Sequence, residues 1–175
     1  MKQVAVEESV AADPMVVYGL ISDITRMGEW SPETKSCRWL QGASSAQVGA
    51  RFRGSNQNGW HRWSTTCTVT AAEPGQLFAF NVDLLNLPVA NWEYEIAPQE
   101  GGCTVTERWT DRRATWVEKL SPLGTGVTDR AERNRATMTE TLSRLRQAAE
   151  ASSEDSQSDN PTSSGRDEFG PAEPS

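Results

Sequence analysis

The 175-residue chain carries 17 Lys and Arg against 24 Asp and Glu, a net charge of −7, and the stretch from Ser152 to Ser175 holds six of those acids and one base. The nearly neutral body that remains gives no reason to expect a nucleic-acid partner. The length suits one compact domain with a real core and is short for two.

Three cysteines, Cys37, Cys67 and Cys103, are odd in number and far apart, with no Cys-x-x-Cys spacing. They read as buried reduced thiols, which leaves neither a disulfide framework nor a zinc site. A single histidine, His61, argues further against a transition-metal site, and no cofactor is expected. The opening MKQVAVEESV has no apolar signal core. No segment approaches the ~20 apolar residues of a membrane span, so the chain reads as cytoplasmic, without stable membrane insertion.

In chain order, the first element is a strand from Gln3 to Ala11. In ADPMVVYGLI, Asp13 can cap a helix and Pro14 fits its first turn. Ser22 and Asp23 open a second short helix that should end near Gly28. Strands then follow at about Lys35 to Leu40, Ala50 to Asn56, Trp60 to Ala72, Leu77 to Leu84, Ala90 to Ala97 and Cys103 to Thr110.

Turn chemistry proposes a register for the hairpins. Asn58-Gly59 as a two-residue turn sets Asn56 opposite His61, Gly54 opposite Trp63, Phe52 opposite Thr65 and Ala50 opposite Cys67. Pro74-Gly75 sets Cys67 opposite Val82, Val69 opposite Phe80 and Ala71 opposite Phe78. The loop around Glu100-Gly101-Gly102 pairs Ile96 with Val105, Tyr94 with Glu107 and Trp92 with Trp109, leaving Glu93 beside Arg108 outside.

The last element is a helix from about Val127 to Ala149. Its stripe of Val127, Ala131, Asn134, Met138, Leu142, Leu145 and Ala149 has the spacing of one buried face. The charged residues between them, Arg133 and Arg146 included, read as a solvated face. Residues 152–175 are rich in Ser, Pro, Gly and acids, so they cannot bury enough apolar surface to offset the entropy of ordering. The expected organisation is one domain over residues 1–151 and a disordered acidic tail over 152–175.

A strand, two short helices, a run of antiparallel strands and a closing helix make an α+β arrangement in which a curved sheet wraps one helix. Four segments carry a family resemblance: VAADPMVVYGLISDITRMGEWSPETKS, PGQLFAFNV, GGCTVTERW and DRAERNRATMTETLSRLRQAAE. On these the chain, from about Gln3 to Glu150, resembles the polyketide cyclase/dehydrase-like branch of the START and birch-pollen-allergen (SRPBCC) superfamily. The resemblance implies the helix-grip fold, with a cavity between the curved antiparallel sheet and the long C-terminal helix. Members include cyclases, hydrophobic-ligand carriers, lipid-transfer proteins and proteins acting through partners, so fold alone does not choose a function.

Strand parity puts Phe52, Trp63, Phe78, Phe80, Trp92, Trp109 and Met138 on the walls of such a cavity, with Asn56, His61, Thr65, Tyr94, Glu107 and Asn134 as its polar members. An apolar space with few polar groups is what a small-molecule pocket requires. Trp30 is assigned to the core or an entrance edge. A carboxylate between Val105 and Trp109 must be hydrated, paired or protonated. Glu107, Tyr94 and His61 are therefore the candidate proton-transfer residues, although His61, so near the turn, should sit at the rim.

Three readings follow. The first is binding of a hydrophobic, aromatic or polycyclic small molecule. The second is an aromatase/cyclase or dehydratase acting on a polyketide-type substrate without metal or nucleotide, and the third a protein-interaction module, toxin- or chaperone-regulator-like, with a filled cavity. Monomer and dimer both remain open.

Overall fold

The computed structural model describes residues 2–114 and 130–158. Seven strands form one antiparallel sheet: β1 (Gln3–Val10), β2 (Thr34–Trp39), β3 (Arg51–Asn58), β4 (His61–Glu73), β5 (Leu77–Leu84), β6 (Leu87–Gln99) and β7 (Gly102–Asp111). Their order, β1-β7-β6-β5-β4-β3-β2, places the first strand beside the last and leaves β2 at the far edge. Helix α1 (Pro14–Ser22), a 3-10 turn (Ile24–Arg26) and α2 (Met27–Trp30) join β1 to β2, and α3 (Arg130–Ser158) ends the described chain.

Local chemistry accounts for these ends. Asp13 caps α1 by accepting from the Met15 amide at 2.7 Å, with Pro14 in the first turn. Asp23 caps the 3-10 turn through the Thr25 amide at 3.1 Å. Gly28 does not stop the next helix, as its sequence had suggested; α2 runs through it to Trp30. A Cβ at Gly28 would lie 3.0 Å from the Lys35 carbonyl oxygen, so the glycine permits the close approach of β2.

The β6–β7 register is as expected: Trp92 faces Trp109, Tyr94 faces Glu107 and Ile96 faces Val105, with Glu93 beside Arg108. Arg108 bridges Glu93 and Glu95 at 2.8 and 2.6 Å on the outside. Between β4 and β5, Cys67 faces Val82 and Val69 faces Phe80, but a bulge past Val69 pairs Ala71 with Ala79 and Ala72 with Phe78. The β3–β4 hairpin departs from expectation by two residues. Asn58 pairs with His61, Asn56 with Trp63, Gly54 with Thr65 and Phe52 with Cys67. The turn residues are Gly59 and Trp60, and only Gly59 takes a positive φ, 57°, the pattern of a type II′ turn. Since side chains alternate with period two, this slip changes partners and leaves faces intact.

On α3, Asn134, Met138, Leu142, Leu145 and Ala149 are buried, as is Thr141. The expected start at Val127 lies outside the described residues. At its other end α3 continues through Ser158 and takes in the first residues assigned to the tail. Ser152 and Ser153 donate to the carbonyls of Ala148 and Ala149 at 2.8 and 3.1 Å, and no Gly or Pro interrupts the run before Pro161. Residues 159–175 lie outside the described residues. The helix packs on β1, α1, α2 and β7. Among the described residues, no helix is long and apolar enough to cross a membrane.

Candidate functional site

The inner face of the sheet and α3 enclose a cavity of about 340 Å³, within the range of small-molecule sites. Aromatic walls come from β3, β5, β6 and β7. Phe52 stands edge-on to Phe80 with centroids 5.2 Å apart, Trp92 faces Trp109 across the β6–β7 ladder, and Trp63 adds a third indole. Met138 reaches in from α3 and Met27 from α2.

Most of the expected lining is brought together: Phe52, Trp63, Thr65, Phe80, Trp92, Tyr94, Glu107, Trp109, Asn134 and Met138 all border the space, with Asn56. Two residues are not. Phe78 is fully buried and packs against Phe80 at 5.6 Å, outside the lining; the β4 bulge sets it opposite Ala72. His61 is half-buried at the first position of β4, opposite Asn58, and does not border the cavity. It stands beside the hairpin tip, and the structure does not bring it to the cavity with Tyr94 and Glu107. Trp30 is core, with the Arg26 guanidinium 5.5 Å above its ring.

Gly54 faces Thr65 across the β3–β4 ladder, where Trp63 had been expected. A Cβ there would stand 3.2 Å from Thr65 Oγ1, 3.6 Å from Asn56 Nδ2 and 3.7 Å from Cys37 Sγ, so the glycine accommodates this polar corner. Asn56 donates to Thr65 at 3.4 Å and accepts from Thr34 at 3.4 Å. Cys37, Cys67 and Cys103 are free and buried. Burial pushes the Cys37 thiol up to about 11 and Cys67 higher still, which makes both inert apolar lining. Among the described residues, no three His, Cys, Asp or Glu side chains gather as metal ligands.

The chemistry concentrates at Glu107. Only 2% exposed, it accepts a hydrogen bond from Tyr94 Oη on Oε1 at 2.7 Å, and Oε2 has no hydrogen-bond partner among the described residues. Burial raises its pKa to about 8, the Tyr94 bond opposing the rise. Tyr94 is itself pushed well above its usual value by burial and by the neighbouring carboxyl. Near neutrality this pair is a neutral acid beside a neutral phenol. Asn134 Nδ2, also buried and without a hydrogen-bond partner, borders the same space from α3.

Other contributors were not legible in the sequence. Ser31 and Glu33 line the cavity from the link after α2, Thr34 from the start of β2, Leu84, Leu87, Val89 and Ala90 from the β5–β6 hairpin, and Thr137 and Thr141 from α3. Arg113, just past β7, also lines it; its guanidinium holds Asp111 at 2.6 and 2.9 Å. Burial would raise Asp111, but the Arg113 contacts outweigh it and hold the carboxyl below its ordinary range. Arg133, read from sequence as merely solvated, reaches Glu33 at 3.1 Å and Asn58 at 3.4 Å, tying α3 to the link after α2 and to the hairpin tip.

An antiparallel sheet gripping a long helix over an apolar, aromatic cavity defines a helix-grip protein with a hydrophobic ligand-binding pocket. The family model for polyketide cyclase / dehydrase and lipid transport matches residues 1–150, and the chain belongs to that family. A polyketide-cyclase-like protein from Corynebacterium glutamicum, solved by solution NMR, is 31% identical, covering 86% of this chain and 92% of its own, with a TM-score of 0.57. A protein from Chromobacterium violaceum is similar at 14% identity and TM-score 0.62, over 86% of this chain and 99% of its own. The di-domain ARO/CYC StfQ from the steffimycin biosynthetic pathway is 14% identical with a TM-score of 0.66. That match covers 89% of this chain and 51% of StfQ, so this chain spans about half its length. The last two show the fold alone. None of the curated proteins matches this sequence.

Proposed function

We propose that this protein binds a flat, hydrophobic, aromatic or polycyclic small molecule between its sheet and α3. The observation that carries the reading is the cavity of about 340 Å³ bordered by Trp63, Trp92 and Trp109. Such rings offer large apolar faces to a planar partner. Open space of this size also argues against the interaction module, which required a filled cavity. Native mass spectrometry of freshly purified protein, followed by titration of a panel of polycyclic aromatics with tryptophan emission as readout, tests the proposal. A retained mass or saturable quenching supports it; neither, across the panel, defeats it.

One observation favours a second reading, proton-transfer catalysis of cyclase or dehydratase type. Glu107 is a buried carboxyl poised near 8 and hydrogen-bonded to Tyr94, a value suited to a general acid at neutral pH. In that reading Glu107 gives a proton to a substrate carbonyl from Oε2 while Tyr94 holds Oε1, and the cavity supplies orientation. StfQ, an ARO/CYC protein, shares the fold.

A further inference from the structure

The two buried polar atoms without hydrogen-bond partners at the cavity wall belong to different elements, Glu107 Oε2 on β7 and Asn134 Nδ2 on α3. Both residues are nearly fully buried, at 2% and 3% exposure, and both border the same space. Leaving such atoms unpaired is costly to the fold, because each has lost its water without gaining a partner. Two of them on residues that border one apolar cavity are a recognition feature that a ligand can complete.

We propose that Glu107 and Asn134 form a two-donor clamp for one neutral acceptor oxygen, so that the ligand presents a carbonyl to the wall where β7 meets α3. The inference rests on the ligand-binding reading above and adds to it which polar group the cavity selects. Its logic is one of hydrogen-bond sense. An amide nitrogen can only donate. With Tyr94 donating to Oε1, the neutral carboxyl carries its own proton on Oε2, and in that form Oε2 donates too. Two donors match the two lone pairs of one carbonyl oxygen. A hydroxyl must spend its own proton elsewhere, and a hydrocarbon leaves both donors unpaired.

The groups around Glu107 support a neutral carboxyl. Across β6 it meets Tyr94, and across β1 it is paired with Val6. Elsewhere on the cavity wall stand the Cys37 and Cys67 thiols, both neutral, and two charged residues already engaged, Arg113 with Asp111 and Glu33 with Arg133. None of these is hydrogen-bonded to Glu107 except Tyr94.

The test uses three probes of one shape: 9-fluorenone, fluorene and 9-fluorenol, titrated into the full chain with tryptophan emission as readout. At pH 7 fluorenone should bind about tenfold more tightly than fluorene and more tightly than fluorenol, and its carbonyl stretch should move to lower frequency on binding. The preference should fade between pH 7 and 9.5 as Glu107 ionises. Glu107→Gln, whose amide donates at every pH, should keep the preference and lose its pH dependence; Asn134→Leu should reduce it. Should either variant misfold, the wild-type pH series and the carbonyl stretch decide alone. Equal saturable binding of ketone and hydrocarbon, tighter binding of fluorenol, or a preference unchanged to pH 9.5 would overturn the clamp while sparing the ligand-binding reading. If none of the three binds, that reading fails for planar tricyclic ligands and the clamp falls with it.

Discussion

Tyr94 and Glu107 face each other across the β6–β7 ladder, and the phenol donates to the carboxyl at 2.7 Å inside an apolar cavity. Oε1 is thereby satisfied by a neutral donor, while among the described residues no cation is bonded to the group to stabilise its ionised form. Burial dominates and the carboxyl stays protonated into the neutral range.

That relationship gives stability a definite pH dependence. The folded carboxyl binds its proton up to about 8, against an ordinary value of 4.5. Between those values the folded state holds a proton that the unfolded state has lost, so this group's contribution is complete below 4.5 and is lost as pH rises toward 8. Glu107→Gln has no such proton. Its stability relative to wild type should therefore climb by about 1.4 kcal/mol per pH unit across the window, a few kcal/mol in all. Urea unfolding of both proteins at pH 5 and pH 8 measures the difference. Parallel curves would show Glu107 ionised in the folded protein.

Ligand binding should discriminate between neighbouring tryptophans. Trp63 borders the cavity, whereas Trp60 occupies the hairpin tip at 92% exposure. Trp63→Ala should weaken binding of a polycyclic aromatic about tenfold or more, since a large aromatic contact is lost, and Trp60→Ala should leave it within about twofold. Equal effects, read by calorimetry, would place the ligand outside the cavity.

How far the sequence foretells this site depends on what encodes each contact. The β6–β7 register follows from a glycine-bearing loop joining two strands with alternating faces, and it delivers Tyr94 and Glu107 as a pair. At the β3–β4 tip, Asn58-Gly59 reads as the turn, but Gly59-Trp60 forms it; parity still keeps Trp63 and Thr65 inward. The bulge past Val69 is invisible because Ala71 and Ala72 are acceptable on either face. The β5–β6 turn hides for a different reason. Leu85 and Asn86 both take positive φ, 50° and 64°, and leucine is a poor signal for that conformation. The residues it carries to the cavity, Leu84 and Leu87, are hidden with it. Arg113 and Arg133 belong to the same class, because a charged residue beyond a strand end or on a helix flank acquires its partners only through tertiary placement.

Two adjacent glycines in the β6–β7 turn should respond very differently to alanine. A Cβ at Gly102 would lie 2.1 Å from the Val10 carbonyl oxygen, a backbone atom of β1, whereas one at Gly101 meets nothing within 4 Å. Gly101→Ala then suffers only its left-handed φ of 78°, costing about 1 kcal/mol. Gly102→Ala must push β1 from β7 and should cost roughly 3 kcal/mol or more. Denaturant midpoints of the two variants test the ordering; similar values would mean that β1 does not approach this turn so closely.

The binder and the enzyme part company at the Glu107 proton. Gln preserves shape, still accepts from Tyr94 and still donates into the cavity, but cannot release or recover a proton. If the protein turns over an enolisable ketone with Glu107 as its acid, Glu107→Gln should retain ligand affinity within a few-fold while kcat falls by about 100-fold or more. The wild-type pH profile of kcat/KM should then lose activity as pH rises through about 8, the value that burial gives the free protein's carboxyl. A protein that only binds has no rate to lose: affinity for the ketone persists in the variant, and the substrate is recovered unchanged from both proteins. A drop in kcat matched by an equal drop in the folded fraction would assign Glu107 to structure alone, so each rate is normalised to the fraction folded at the assay pH.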